Sequence, residues 1–144
     1  MFLTRLLKPT VTASAHCDLP CGVYDPEQAR IEAESCYKII EKYNASNDDQ
    51  FKTRAIVIKE KQADLAKHHI DVLWSDYSKP EHVQKYPEIT DLCWKAAKQC
   101  SKVKQSLDLS EAKALLDLID KIGDVWTKAG GPQATRMAKQ TAKA

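Results

Sequence analysis

Asp25-Pro26-Glu27-Gln28-Ala29-Arg30-Ile31-Glu32-Ala33-Glu34-Ser35-Cys36-Tyr37-Lys38-Ile39-Ile40-Glu41-Lys42-Tyr43 decides the fold class. It opens as a helix start, with Asp25 as N-cap, Pro26 in the first turn and Gln28 at the capping-box position. Ala29, Ala33, Cys36, Ile40 and Tyr43 then recur at intervals of four and three residues, so they share one apolar face. Residues 44–47 end the helix.

The same period continues downstream. A second helix starts at Asp48-Asp49 and is expected to run to about Tyr77, roughly 45 Å at ~1.5 Å per residue. Phe51, Ala55, Ile58, Leu65 and Val72 trace one seam; Ile56, Ala63 and Ile70 trace another. Gln62 and His69 fall on the first seam, which is expected to meet another subunit or the metal-binding end described below. Lys79-Pro80 and Tyr86-Pro87 bracket a connector of about one helical turn. A third helix over residues 88–104 turns Ile89, Leu92, Cys93, Ala96, Cys100 and Val103 inward. Asp108-Leu109-Ser110-Glu111 reads as a further capping box. It starts a fourth helix with Leu115, Leu118, Ile119, Ile122 and Trp126 on one face. Gly130-Gly131-Pro132 closes the fold. Four amphipathic helices on short loops predict an all-α, antiparallel four-helix bundle.

A chain of 144 residues is one domain. Its net charge of +2 points to neither nucleic acid nor an anionic membrane as partner. The charge is uneven: residues 1–15 carry Arg5 and Lys8, and residues 127–144 carry only cations, so the segment between is net acidic. Residues 128–144 read as a basic, disordered tail. No apolar run approaches the ~18–20 residues that span a membrane. Residues 1–15 resemble a weak leader, because Arg5 and Lys8 interrupt its apolar residues, yet Ala13-Ser14-Ala15 is a small-residue cleavage site. The pattern suits a processed propeptide. Five cysteines, three of them in helical stretches, do not make a secreted disulfide framework, so a reducing, cytoplasmic compartment is expected.

Upstream of the first helix stands His16-Cys17-Asp18-Leu19-Pro20-Cys21-Gly22-Val23-Tyr24-Asp25-Pro26. Two thiols, an imidazole and a turn-forming Pro and Gly fall within a few residues, enough to bind one metal ion. Cleavage after Ala15 turns His16 into an amino terminus, with an amine of unperturbed pKa near ~8. The amide nitrogen between His16 and Cys17 lies one five-membered chelate ring from that amine. The Cys17 thiolate closes a second such ring, and Cys21 reaches back if the chain turns at Leu19-Pro20 and Gly22. Two nitrogens and two sulfurs can then lie in a plane, with the imidazole approaching from above. Tetragonal N,S surroundings favour Ni(II) or Cu(II) over zinc. Thiolates and an anionic amide also stabilise a higher oxidation state. For the cysteine pair alone, a weak zinc site, a loop disulfide or coincidence are the commoner readings.

The uninterrupted run closely resembles the metal-binding hook of the nickel superoxide dismutases. The likeness continues through Gln28-Ala29-Arg30-Ile31-Glu32-Ala33-Glu34-Ser35, Asn47-Asp48-Asp49, Thr53-Arg54-Ala55, Val57-Ile58-Lys59-Glu60, Leu65-Ala66-Lys67-His68-His69, Val72-Leu73-Trp74-Ser75-Asp76-Tyr77 and Tyr86-Pro87-Glu88. It covers most of residues 16–88 and then fades. The resemblance implies a propeptide of residues 1–15, a four-helix bundle subunit over 16–127, a homohexamer and the dismutation of superoxide to O2 and H2O2. It implies a nickel ion held by the new terminal amine, the Cys17 amide and the thiolates of Cys17 and Cys21, with His16 as axial ligand. It calls for a maturation protease and a nickel chaperone as partners. Tyr24 matches a residue at the substrate entrance, Asp18 and Pro20 match positions that shape the hook, and Glu32 matches the carboxylate that orients the axial imidazole. Tyr77 matches a residue that packs near the hook of a neighbouring subunit. One position departs: the family pattern has an Arg at Gln62, supporting the Glu–His contact, and Gln62 offers a hydrogen bond without the charge. The other reading is a helical-bundle metal-binding protein without turnover.

Other tempting residues read as structural. Adjacent helical positions diverge, so His68-His69 is not expected to be a metal pair. Cys36, Cys93 and Cys100 read as buried apolar-like residues. The three Trp belong to the core or an interface. Superoxide is an anion, and an acidic body does not attract it globally, so any steering must come from local lysines.

Overall fold

The structure, a computed structural model of the chain, describes residues 22–131. His16, Cys17, Asp18 and Cys21, the leader segment and the residues after Gly131 lie outside the described residues. The described chain is entirely helical: α1 (Glu27–Ala45), α2 (Asp49–Val72), a π-helical turn (Leu73–Tyr77), α3 (Pro80–Lys85), α4 (Glu88–Gln105) and α5 (Leu109–Lys128). α1, α2, α4 and α5 pack in a closed ring in which each touches two neighbours. Loops of three residues reverse the chain between α1 and α2 and between α4 and α5, so those pairs run antiparallel. α3 is a short strap in the crossover from α2 to α4. No helix among the described residues is long and apolar enough to cross a membrane.

The caps follow the sequence with two differences. Asp25 Oδ1 accepts from the Glu27 N–H at 2.8 Å, yet Gln28 makes no reciprocal bond. Asp48 accepts from the Gln50 and Phe51 N–H groups at 2.9 and 3.2 Å. Asp108 accepts from the Ser110 N–H at 2.8 Å, which holds its carboxyl below the usual carboxylate range. The predicted box there stays open, because the Glu111 carboxylate takes a hydrogen bond from Gln99 of α4 instead. α5 runs through Lys128, and Gly130 at φ 99° ends it in the left-handed region that suits glycine. Gly131 then lies flat on the Trp126 ring.

The core is assembled from Ala29, Ala33, Cys36 and Ile40 of α1, Ile89, Cys93, Ala96, Cys100 and Val103 of α4, and Leu115, Ile119, Ile122 and Trp126 of α5. These are the predicted faces; Leu92 and Leu118 pack at their margins. Each buried Leu or Ile contributes about 1.5–3 kcal/mol. α2 differs. Its buried stripe is Ala55, Lys59, Ala63, Ala66 and Ile70, while Phe51 and Ile58 of the predicted first seam are exposed. The alanines bring α2 close to its neighbours and leave its larger apolar side chains outside. Trp126 is core, whereas Trp74 and Trp94 are exposed.

Lys59 is 1% exposed. Its ammonium donates to the carbonyls of Val103, Lys104 and Ser106 at 2.8, 2.8 and 2.6 Å, capping the carboxyl end of α4. Burial pushes it below the ordinary lysine range, and the charge of Glu60 opposes that. A second polar tie joins α1 to α5, where the buried Arg30 guanidinium pairs with Asp120 at 2.8 Å.

Candidate functional site

The chain enters the bundle at the amino end of α1. Gly22 takes φ 70°, a left-handed turn, and Val23 to Pro26 lead into the helix. The carboxyl end of α2 arrives at the same place. There the helix widens: the Ser78 N–H reaches back five residues to the Leu73 carbonyl at 3.2 Å, and the Ser78 hydroxyl donates to the same oxygen. Such π turns are frequent at functional sites, because they re-aim the side chains they carry. This one carries Tyr77. The expected helix to Tyr77 is therefore continuous, but its last turn is π rather than α.

Tyr77 is the centre of an aromatic cluster. Its ring lies 5.8 Å from that of Tyr24, is stacked at 5.2 Å on His82 of α3, and meets Trp126 of α5 at 6.0 Å. Tyr24 and Tyr77 thus meet within one chain, where the resemblance placed Tyr77 near a neighbour's hook. Burial pushes the Tyr77 phenol up, so it keeps its proton at neutral pH. The Lys79 N–H donates to His82 Nδ1 at 3.3 Å, which fixes that ring from its other side. Tyr86 of the crossover donates its hydroxyl to the Lys128 carbonyl at 2.7 Å and straps α5 to this end.

A carboxylate and an imidazole face each other between α1 and α2. Glu32 Oε2 lies 2.7 Å from His69 Nδ1, and the two side chains are only 14% and 19% exposed. The other Glu32 oxygen has no hydrogen-bond partner among the described residues. Gln62 makes no hydrogen bond to Glu32. The register explains why. The Cys36 thiol donates to the Lys59 carbonyl at 3.4 Å, so Glu32 stands level with residues near 63 on antiparallel α2. Side chains lean toward the amino end of their own helix. Glu32 leans toward the site end, Gln62 leans away from it, and His69, farther along α2, leans back to meet Glu32.

His69 is the residue that sequence reasoning missed. The signal was its place on the polar seam; its divergence from His68 was anticipated, and the two rings are tilted by 59°. No group of three His, Cys, Asp or Glu able to hold a metal exists among the described residues. The expected donors His16, Cys17 and Cys21 precede Gly22 in sequence, and Gly22 stands at the end that holds Tyr24 and Tyr77. Two thiolates, an amine and an amide nitrogen suit a tetragonal nickel or copper ion. The described side chains at this end of the bundle carry hydroxyl, carboxylate and imidazole groups but form no metal-ligand cluster of their own. The donor chemistry therefore fits a nickel ion. Cys36, Cys93 and Cys100 do not contribute: burial pushes each thiol up to about 12.

The chain matches the family profile described as nickel-containing superoxide dismutase over residues 11–129. It is 54% identical over 124 residues to the superoxide dismutase [Ni] of Streptomyces coelicolor, covering 86% of this chain and 95% of that protein. It is 55% identical over 124 residues to that of Streptomyces seoulensis, with the same coverage. Its fold superposes with a TM-score of 0.77 on a crystal structure of Ni-containing superoxide dismutase with its nickel ligation in the oxidised state. That protein is 54% identical, and the match covers 79% of this chain and 97% of the other.

Proposed function

The chain belongs to the nickel-containing superoxide dismutase family, and we propose that its metal centre forms from His16, Cys17 and Cys21 once the chain is cut between Ala15 and His16. It is a nickel-dependent oxidoreductase that converts superoxide to O2 and H2O2. The terminal amine, the Cys17 amide nitrogen and the two thiolates would hold the ion, and the His16 imidazole would be a further ligand. When bound, nickel supplies a one-electron couple between Ni(II) and Ni(III), brought into reach by thiolate and anionic amide donors.

The protein's own groups serve the anion and its protons. Two superoxide ions and two protons give one O2 and one H2O2. Tyr24 stands at the substrate entrance, backed by the Tyr77 ring at 5.8 Å. The Tyr77 phenol, protonated at neutral pH like any tyrosine and pushed further up by burial, offers a hydroxyl hydrogen for a superoxide or peroxide oxygen. Asp18 shapes the hook. Glu32 would orient the His16 imidazole by accepting a hydrogen bond from the ring N–H that does not face the ion.

The reading rests above all on one observation, the run from His16 to Tyr24; the Tyr24 ring packs on Tyr77, and Glu32 pairs with His69 between α1 and α2. The active unit is residues 16–127, in a cytoplasmic homohexamer matured by a protease and loaded by a nickel chaperone. The exposed groove of Ile39, Phe51, Arg54 and Ile58 on α1 and α2 supplies apolar surface for such assembly. The test is to prepare residues 16–144 with a free amine, load nickel and follow superoxide decay. Rapid decay is expected, together with its loss when Ala15 is retained or His16 is acetylated. Full activity in the blocked forms would overturn the reading.

A further inference from the structure

The Glu32–His69 contact ties α1 to α2 at 2.7 Å and belongs to neither the core nor the solvent face. A carboxylate on a helix has several rotamers, and one that must orient another group gains from being held. His69 Nδ1 occupies Oε2 at 2.7 Å, which leaves Oε1 for a second donor. The hold comes from the site end of α2, two turns beyond Gln62 and eight residues before Tyr77. We propose that His69 is a positioning residue: it fixes the Glu32 carboxylate and, through it, the orientation of the His16 imidazole in the assembled centre.

This rests on the reading that Glu32 faces His16, so the test must separate the two. The variants are His69→Leu, His69→Asn and Glu32→Ala, each as the nickel-loaded chain beginning at His16. Asn places an N–H donor where His has Nδ1; Leu removes the donor and keeps much of the bulk. The readouts are nickel content, the electron paramagnetic resonance of the oxidised centre with its axial-nitrogen hyperfine splitting, and kcat/KM. In the nickel-free chain, nitrogen-15 spectra report the proton on His69 Nδ1 directly.

His69→Leu is expected to keep its nickel, because the equatorial donors do not involve Glu32. Its hyperfine pattern should be altered and its kcat/KM about 10-fold lower, the lower end of the usual cost of losing such a partner. His69→Asn should restore both. Glu32→Ala should alter the spectrum at least as much as His69→Leu. An unchanged spectrum in His69→Leu alongside an altered one in Glu32→Ala would overturn the role of His69 and leave that of Glu32 standing. Equal damage in the Asn and Leu variants would also overturn it, because the ring would then be acting by packing. An unchanged spectrum in Glu32→Ala would remove the reading of Glu32 itself.

Discussion

Replacing Lys59 by Met would cut the grip of α2 on the end of α4 without opening a large void. Three charge-assisted bonds, of 2.8, 2.8 and 2.6 Å, are lost at once. Each contributes about 1.5–3 kcal/mol, the range for a hydrogen bond to a charged group. Removing the ammonium also removes its desolvation cost, which is several kcal/mol for a buried ion. The carbonyls of Val103, Lys104 and Ser106, buried or part-buried, are then left without that donor. The balance is a loss of about 3–5 kcal/mol, the usual result of removing one side of a buried polar contact. For a domain of this size that lowers Tm by about 10–20 °C. Urea denaturation of the metal-free chain at fixed protein concentration measures it, and the slope m should not change. Lys59 holds the bundle end opposite the Tyr24–Tyr77 cluster, so superoxide consumption per bound nickel at 25 °C should match the native chain. A loss below ~1 kcal/mol would refute the claim that Lys59 caps α4.

Three further outcomes are expected. In the native nickel-free protein, Cys36, Cys93 and Cys100 should resist thiol reagents at pH 8, with Cys17 and Cys21 accounting for all labelling; mass spectrometry of the labelled peptides checks this. The same thiols make stability fall at alkaline pH. Their folded pKa of about 12 exceeds the unfolded value, so stability is intact below about pH 8.5 and drops by roughly 1.4 kcal/mol per thiol per pH unit above it, as urea midpoints against pH would show. Gly131→Ala would place a Cβ 2.3 Å from the Trp126 ring, so the end of α5 must shift; a red shift of Trp126 fluorescence and a loss of about 1–3 kcal/mol are expected, and Gly130→Ala should cost about 1–2 kcal/mol through its positive φ alone.

Much of the fold was legible because the α1, α4 and α5 stripes recur at intervals of three and four between recognisable caps. α2 was legible in part: Ala55, Val72, Ala63 and Ile70 of its two expected seams are buried, but its core face is mostly alanine, so hydrophobicity also pointed to Phe51 and Ile58, which face outward. A buried lysine was invisible for the same reason: its three carbonyl partners lie more than forty residues away and exist only once α4 has ended. At the candidate site, Tyr24, Glu32 and Tyr77 were singled out through the likeness of the hook and its flanks. His69 was not, because its partner is set by helix register and by the lean of side chains in an antiparallel pair. The open capping box at Glu111 is a similar case, since Gln99 outcompetes a local N–H.

The central claim is that the catalytic centre comes into being when His16 becomes an amino terminus. The most direct measurement is intact-mass and amino-terminal sequencing of the nickel-bearing, superoxide-consuming fraction purified from its natural source. The account predicts a chain that starts with a free, unmodified His16. An active nickel-loaded fraction whose chain still carries Ala15, or whose His16 amine is blocked, would contradict it.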